Sequence, residues 1–157
     1  MKKCMFLMLA IALMVGAGCK KEDNNPDPTP VKKLKAMGVK KWTVKAFPST
    51  NNGASWDFLG DRPDIFIQVN QEGVFKYATD YYTDAINTQV YSWNDYVLFD
   101  DVDDVYTISL YDHDDITAHQ VMSSISFKVK DQQTTASQFN FVFGGVDLTI
   151  DVVFFFE

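Results

Sequence analysis

Two-residue alternation of apolar and polar side chains dominates the sequence from Val31 to Glu157. In the clearest run the apolar positions are Val146, Leu148, Ile150, Val152 and Phe154. The polar positions between them are Asp147, Thr149 and Asp151. Successive side chains of a β-strand point to opposite faces, so this period predicts strands with one buried face and one exposed face. No segment of ten or more residues has apolar side chains that recur convincingly at the 3.6-residue period of an α-helix, and we therefore expect no long helix.

Eight such runs are separated by turn signals, among them STNNG, NQEG, FDDVDD and FGG. We predict an all-β fold, an antiparallel eight-stranded β-sandwich over residues 31–157, with a closed barrel as the competing architecture. The predicted strands are KKWTVKAF, DIFIQV, GVFKYA, VYSWNDYVLF, VYTISLY, VMSSISFKV, FNFVF and VDLTIDVVF. In VMSSISFKV the period places Val121, Ile125 and Phe127 on one face and Met122 on the other.

The first 30 residues differ in composition from the rest of the chain. Two lysines precede an apolar run from Met5 to Val15, which is too short to cross a bilayer and has the length of a signal-peptide core. The following GAGC resembles the lipobox of bacterial lipoproteins, whose cysteine, here Cys19, is acylated, although Gly16 stands where leucine is commonest. We therefore expect a signal peptide at 1–18 and a flexible tether at 19–30, with a membrane-spanning anchor as the alternative.

The tether begins KKED, and a lysine followed by two acids behind the acylated cysteine resembles the surface-export signal of lipoproteins in the Bacteroidetes. This resemblance implies a lipid-anchored protein of the bacterial outer membrane, exposed at the cell surface, although a plain solvated tether explains the same residues equally well. The other cysteine, Cys4, lies in the predicted signal peptide. The mature domain is therefore expected to hold no disulfide and no catalytic or metal-binding thiol.

The chain is acidic, with a formal net charge of −7. Removing the predicted signal peptide takes away two lysines and no acid, so the mature protein is more acidic still. It lacks the basic stripe that contacts with nucleic-acid phosphates require, and we expect no nucleic-acid partner. An excess of carboxylates is better suited to divalent cations.

Three segments of the chain stand in the order and at the intervals of one known family: GDRPDIFIQV, YSWNDYVLF and YTISLYDHDDITAHQVMSSISF. Together they resemble the C2 domain, a β-sandwich family that binds calcium and phospholipid. GDRPDIFIQV is similar to the family's segment in which a loop aspartate leads into a buried strand. YSWNDYVLF is similar to its Trp-Asn-Glu strand, and YTISLYDHDDITAHQVMSSISF is similar to its strand followed by an Asp-x-Asp loop. The resemblance covers essentially all of residues 31–157 and implies a C2-like sandwich.

In that family, aspartates from two loops at one end of the sandwich hold calcium, a hard cation that takes six to eight oxygen ligands. The residues of this chain that the resemblance assigns to the metal are Asp57, Asp64, Asp112, Asp114, Asp115 and Gln120. Asp61 competes with Asp57, which lies one residue further upstream than is usual. Gln120 stands where the family has its last aspartate, which implies a single site or weak ones. Extracellular calcium modules work with dissociation constants of about 10⁻⁴–10⁻³ M.

Other chemistries have less support in the sequence. Solvated turn aspartates, which bond to their own backbone, are the simple alternative to a calcium site. The chain has no EF-hand spacing, and its two histidines, His113 and His119, are too few for zinc without cysteine. We see no nucleophile elbow and no phosphate-binding glycine loop, so an enzyme is not expected. FDDVDDV at 99–105 is interpreted as a solvated turn at the opposite end, and Trp56, Tyr81 and Tyr82 either line a ligand or pack.

The sequence thus predicts a non-enzymatic, calcium-binding C2-like module on a lipid-anchored protein. Its acidic loops are expected to bind an anionic lipid, a glycan or a partner protein. The alternative is a metal-free structural or adhesin-like sandwich that contacts proteins or glycans through its sheet faces. Exposed aromatic residues on a sheet face, rather than at the loop end, would favour that alternative.

Overall fold

A computed structural model describes residues 31–56, 61–115 and 118–157. Cys19, the predicted signal peptide, the predicted tether and Asp57 lie outside the described residues. The elements within these ranges are β1 (Leu34–Ala46), β2 (Ile65–Gln71), β3 (Val74–Ala78), β4 (Tyr91–Trp93), β5 (Val97–Phe99), β6 (Val105–Asp112), β7 (Gln120–Lys128), a short 3₁₀ helix (Val129–Asp131), β8 (Gln138–Phe143) and β9 (Val146–Phe156). No helix in this part of the chain has the length and apolar character needed to cross a membrane.

The strands form two antiparallel sheets, which confirms the predicted all-β sandwich. One sheet has the order β4–β1–β9–β8, with β5 also paired to β1, and the other has the order β3–β2–β6–β7. Every strand pairing in both sheets is antiparallel. Residues 32–157 form one compact unit.

The core lies between the inner faces of the two sheets and is rich in aromatic side chains. On β9 the predicted inward row is buried, since Val146, Leu148, Ile150 and Val152 are at most 2% exposed. Trp42 on β1 is fully buried and faces Phe99 at a ring separation of 6.4 Å. Aromatic side chains of this size bury enough apolar area to stabilise a small domain whose described residues include no cysteine.

Two predicted strands differ from the structure, each because the pairing register shifts by one residue. The run VYSWNDYVLF forms two strands, β4 and β5, instead of one. Both pair with β1, but Trp42 pairs with Trp93 whereas Val39 pairs with Val97, so the register shifts by one residue between the two pairings. The pairing of β7 with β6 shifts register between Leu110 and Tyr111 of β6. Val121 therefore points outward and is 52% exposed, while Met122 packs against the core, so these two residues lie on the faces opposite to those predicted.

Three connections meet at the end of the sandwich where β6 finishes. The connection after β1 reaches it through Asn51, whose side-chain Nδ2 donates to Gln120 Oε1 at 2.8 Å. The connection after β3 reaches it through Asp84, whose backbone N–H donates to Asp64 Oδ1 at 2.8 Å. We call this the Asp64 end. The acidic turn at 100–104 precedes β6 and therefore lies at the opposite end of the sheet.

Candidate functional site

Asp64 and Asp112 are neighbours because β2 begins where β6 finishes. Ile65 pairs with Asp112 in the antiparallel register, which places Asp64 just beyond the last rung of the ladder. The backbone N–H of Asp64 donates to Asp112 Oδ1 at 2.8 Å, and the backbone N–H of His113 donates to the Asp64 carbonyl oxygen at 2.7 Å. The two predicted ligands therefore come together across 48 residues of sequence.

Both carboxylates are held in place by the backbone. Asp112 is fully buried, and its Oδ1 accepts the Asp64 N–H, while Asp64 Oδ1 accepts the N–H of Asp84, a residue with a positive φ of 50°. A carboxylate that accepts a backbone N–H has a fixed orientation. The Asp64 end therefore presents preoriented carboxylates instead of flexible ones.

Asp114 and Asp115 follow directly on the same connection. The backbone N–H of Asp114 donates to His119 Nδ1 at 3.1 Å, which fixes the turn. Asp114 Oδ2 is buried and has no hydrogen-bond partner among the described residues. Asp115 is exposed, and its nearest ionic contact is His113 Nδ1 at 3.9 Å. A buried carboxylate oxygen without a donor is costly unless a cation or water satisfies it.

Gln120 lies beside Asp112, with which it pairs in register, but its amide is already engaged. Gln120 Oε1 accepts from Asn51, and its Nε2 makes a long 3.4 Å contact with the Trp56 carbonyl oxygen. The amide thus joins the β1 connection to the start of β7. Of the competing upstream acids, Asp61 is exposed and its carbonyl oxygen accepts the Ser55 hydroxyl.

These positions provide oxygen donors without a completed metal cluster. Within residues 31–56, 61–115 and 118–157, no three or more acids, histidines or cysteines are arranged so that they would hold a metal ion. Three carboxylates of the predicted set, those of Asp64, Asp112 and Asp114, nevertheless lie on adjoining segments of one end. A donor set of carboxylates suits a hard cation such as calcium rather than a soft one.

The two histidines form an aromatic cluster that the sequence did not predict. His113 stacks on Tyr81 with ring centroids 4.2 Å apart and lies 4.5 Å from the ring of His119. His119 in turn meets the edge of Phe66, which stacks on Tyr111 from the neighbouring strand. The sequence signal for this cluster was present, since strand alternation places Phe66 and Tyr111 on the outer face of their sheet.

The other aromatic candidates for a ligand rim are packed. Trp56 is 5% exposed, and its indole N–H donates to the Pro48 carbonyl oxygen at 2.9 Å. Tyr82 packs against Trp93 at 5.0 Å, and its hydroxyl donates to the carbonyl oxygen of Ser92. Tyr82 remains 38% exposed and Tyr81 is 46% exposed, and it is the Tyr81 ring that rests on His113 at the Asp64 end.

Two lysine side chains form ion pairs with the acidic turn at 100–104. Lys76 Nζ lies 2.7 Å from Asp100 Oδ1, and Lys130 Nζ lies 2.7 Å from Asp103 Oδ1. The hydrogen bond from Lys76 lowers the pKa of Asp100, and the hydrogen bond from Lys130 lowers that of Asp103. Asp101 Oδ1 accepts the Asp103 N–H, which is ordinary turn chemistry. Lysines therefore pair with two of the four aspartates of this turn.

The sequence matches no family model and no curated protein. Solved structures do resemble the fold. A C2 domain is 11% identical, with 78% of this chain and 98% of that chain covered and a TM-score of 0.55. A C2 domain of plant extended synaptotagmin 1 is 14% identical over 76% of this chain and 93% of that chain, with a TM-score of 0.60.

Human GIVD cytosolic phospholipase A2 is 15% identical over 80% of this chain, with a TM-score of 0.58, but the match spans only 17% of that enzyme. Two of these three structures are isolated C2 domains that the match covers almost completely. At such low identity the likeness shows the fold alone. Residues 31–157 thus form a two-sheet, all-β sandwich with the architecture of C2 domains.

Proposed function

We propose that this domain is a non-enzymatic binding module that binds calcium at the Asp64 end. The observation that carries the proposal is the contact between Asp64 and Asp112, followed two residues along by Asp114, whose Oδ2 is buried and lacks a hydrogen-bond donor among the described residues. Clustered carboxylates repel one another and are disfavoured in their charged form unless a cation neutralises them. Calcium supplies that charge and accepts an irregular set of oxygens.

The remaining ligands are expected from the two connections that adjoin this pair. Either Asp61 or Asp57, which lies outside the described residues, supplies a further carboxylate from the connection that precedes β2, and Asp115 is able to turn toward the metal from its exposed position. Gln120 contributes by bracing the loop through Asn51 and supplies no charge. Two charged ligands are each partly committed to backbone N–H groups, so we expect one ion of weak affinity, in the range of about 10⁻⁴–10⁻³ M typical of extracellular modules.

Bound calcium would leave coordination positions open to an anionic group, which makes an anionic lipid, a glycan or an acidic patch on a protein the target class. We further propose that acylated Cys19 anchors the protein in a bacterial outer membrane, with the tether carrying the module away from the surface. We expect the wild-type protein to be labelled by a radioactive fatty acid and the Cys19→Ala variant to remain unlabelled. Retained labelling in that variant would contradict the anchor while leaving the calcium proposal unaffected.

Thermal unfolding of the purified protein in calcium and then in chelator tests the calcium proposal. A ligand that binds the native state at about ten times its dissociation constant adds about 1.4 kcal/mol to the unfolding free energy, or roughly 4–7 °C in Tm for a domain of this size. The double variant Asp64→Asn, Asp112→Asn should lose this shift, because each amide still accepts the backbone hydrogen bond but brings no charge.

Asp101→Asn is the matched control, since it removes one carboxylate charge from the turn at the opposite end. We expect it to keep the full calcium shift. Two results would overturn the proposal: no shift in the wild-type protein, or an equal shift in the double variant.

A second function, a metal-free sandwich that contacts partners through a sheet face, is favoured by one observation. Tyr96, Leu98 and Phe155 are 55%, 40% and 41% exposed on the outer side of the β1 sheet. The Tyr96 ring lies directly against Gly38, which pairs with Leu98 on one side and with Val153 on the other. These residues form an apolar strip. This candidate predicts identical melting curves in calcium and in chelator.

A further inference from the structure

A cleft of about 410 Å³ opens beside the Asp64 end, between the connection that follows β1 and the connection that follows β3. Its polar lining includes the side chains of Ser49, Thr50, Asp61, Arg62 and Asn87. The volume falls within the range of about 300–1,000 Å³ that is common for small-molecule pockets. The charges of Asp61 and Arg62 balance, so the lining is neutral overall although the chain is acidic.

The hydrogen-bonding capacity of this lining is not used within the described part of the chain. None of those five side chains makes a hydrogen bond or an ion pair with any residue that the structure describes. Arg62 is the only arginine in the chain, and its guanidinium offers five N–H donors. Asp61 offers acceptors, and the serine, threonine and asparagine groups serve in either role. Donors and acceptors therefore converge on one cavity.

The lining also includes apolar residues that the fold holds rigidly. Phe47 and Ala85 are 3% and 2% exposed and belong to the core, and Ile86 is half-buried. The backbone N–H of Ala85 donates to the Pro63 carbonyl oxygen at 2.8 Å, which ties the two connections together. The cleft thus combines apolar residues with mixed donors and acceptors in one lining.

We propose that this cleft binds a neutral saccharide unit, with its ring carbons against the half-buried Ile86 and its hydroxyl groups among the polar side chains. A sugar has an apolar face and several hydroxyls that both donate and accept, which matches a lining of this mixed character. Asp61 would accept from a pair of ring hydroxyls, while Arg62 and Asn87 would donate to hydroxyl and ring oxygens. A free carboxylate ligand is disfavoured by Asp61, and the hydroxyl-rich lining exceeds what a simple amino acid needs.

The single arginine makes this directly measurable. In ¹H–¹⁵N spectra of the intact protein, the Nε–H group of Arg62 gives one assignable signal. We expect it to move on titration with at least one hexose from a panel of glucose, galactose, mannose and N-acetylglucosamine. The titration is run in chelator, so its outcome is independent of the calcium proposal. The panel also includes glucuronate, galacturonate and alanine as charged competitors.

Arg62→Ala should weaken binding of the responsive sugar by at least about tenfold, since a hydrogen bond to a charged group is lost. Binding in this variant is followed through the backbone amide of Asn87. Lys40→Ala, which removes an exposed cation on β1, should leave the affinity within about twofold. The Arg62 side chain has no hydrogen-bond or ionic partner to lose among the described residues, so the variant is expected to fold normally.

Three results would overturn the inference. The first is no movement of the Arg62 signal with any neutral hexose at millimolar concentration. The second is sugar binding that Arg62→Ala leaves unchanged. The third is a response to alanine or to the uronates alone, which would assign the cleft to a zwitterion or a carboxylate.

Discussion

Replacing Tyr106 with phenylalanine tests how the acidic turn at 100–104 is joined to the core. Tyr106 is fully buried on β6, and its ring stacks on Phe99 with centroids 4.4 Å apart, an arrangement that phenylalanine preserves. Its hydroxyl oxygen accepts the backbone N–H of Asp101 at 3.0 Å and lies 3.4 Å from Asp100 Oδ1. Deleting the oxygen leaves the Asp101 N–H without that acceptor, at a cost of about 1–2 kcal/mol.

The loss of stability caused by Tyr106→Phe should decrease as the pH rises. Burial raises the pKa of Tyr106 to about 12, whereas a tyrosine in the unfolded chain titrates near 10. The native protein therefore holds this proton more tightly, so the stability it contributes is complete below about pH 10 and is lost as the pH rises toward 12. By pH 11 the difference in unfolding free energy between the wild-type protein and Tyr106→Phe should have decreased by about 1.4 kcal/mol.

Urea unfolding of the wild-type protein and Tyr106→Phe at pH 8 and at pH 11 measures both effects. We expect a difference of about 1–2 kcal/mol at pH 8 that is small or reversed at pH 11. Tyr96→Phe is the control, because Tyr96 is 55% exposed and its hydroxyl has no hydrogen-bond partner among the described residues. A Tyr106→Phe difference that does not change with pH would refute the reasoning.

The structure supports two further predictions. Gly144→Ala in the β8–β9 hairpin should destabilise the protein by at least about 1–2 kcal/mol, because φ is +52° and the new Cβ would collide with Ser123. Gly53→Ala, with φ of +89° but open space around it, should cost less in the same urea unfolding measurement, and equal costs would argue against the collision. Lys76→Gln should raise the pKa of Asp100 toward its ordinary value in an NMR titration, since the Lys76 hydrogen bond is what lowers it; an unchanged pKa would contradict that cause.

The strands could largely be predicted from the sequence, because burial on one face enforces the two-residue period. Val146, Leu148, Ile150 and Val152 on β9 are buried as predicted, although Thr149 between them is buried as well, at 3% exposed. The departures occur at bulges. A one-residue register shift exchanges the two faces of a strand, as at Met122, and depends on how two distant segments pair. Local alternation carries no information about that pairing.

The candidate site was predictable only in part. The C2 resemblance assigned Asp64 and Asp112 to one metal site, and the structure places the two residues in contact; that they bind a metal stays a prediction. The commitment of the Gln120 amide to Asn51 was not predictable, because the two residues lie 69 positions apart and no pattern links them. The cleft around Arg62 arises in the same way, from two connections that meet only in the folded chain.

A calcium titration followed by backbone ¹H–¹⁵N NMR shows whether the Asp64 end binds calcium. The amides of Asp64 and Asp84 donate to the Asp112 and Asp64 carboxylates, so they report on these groups when a cation binds. We expect the largest shifts on these amides and on those of Asp114 and Asp115. Shifts confined to Asp101 and its turn, or no shift at millimolar calcium, would contradict it.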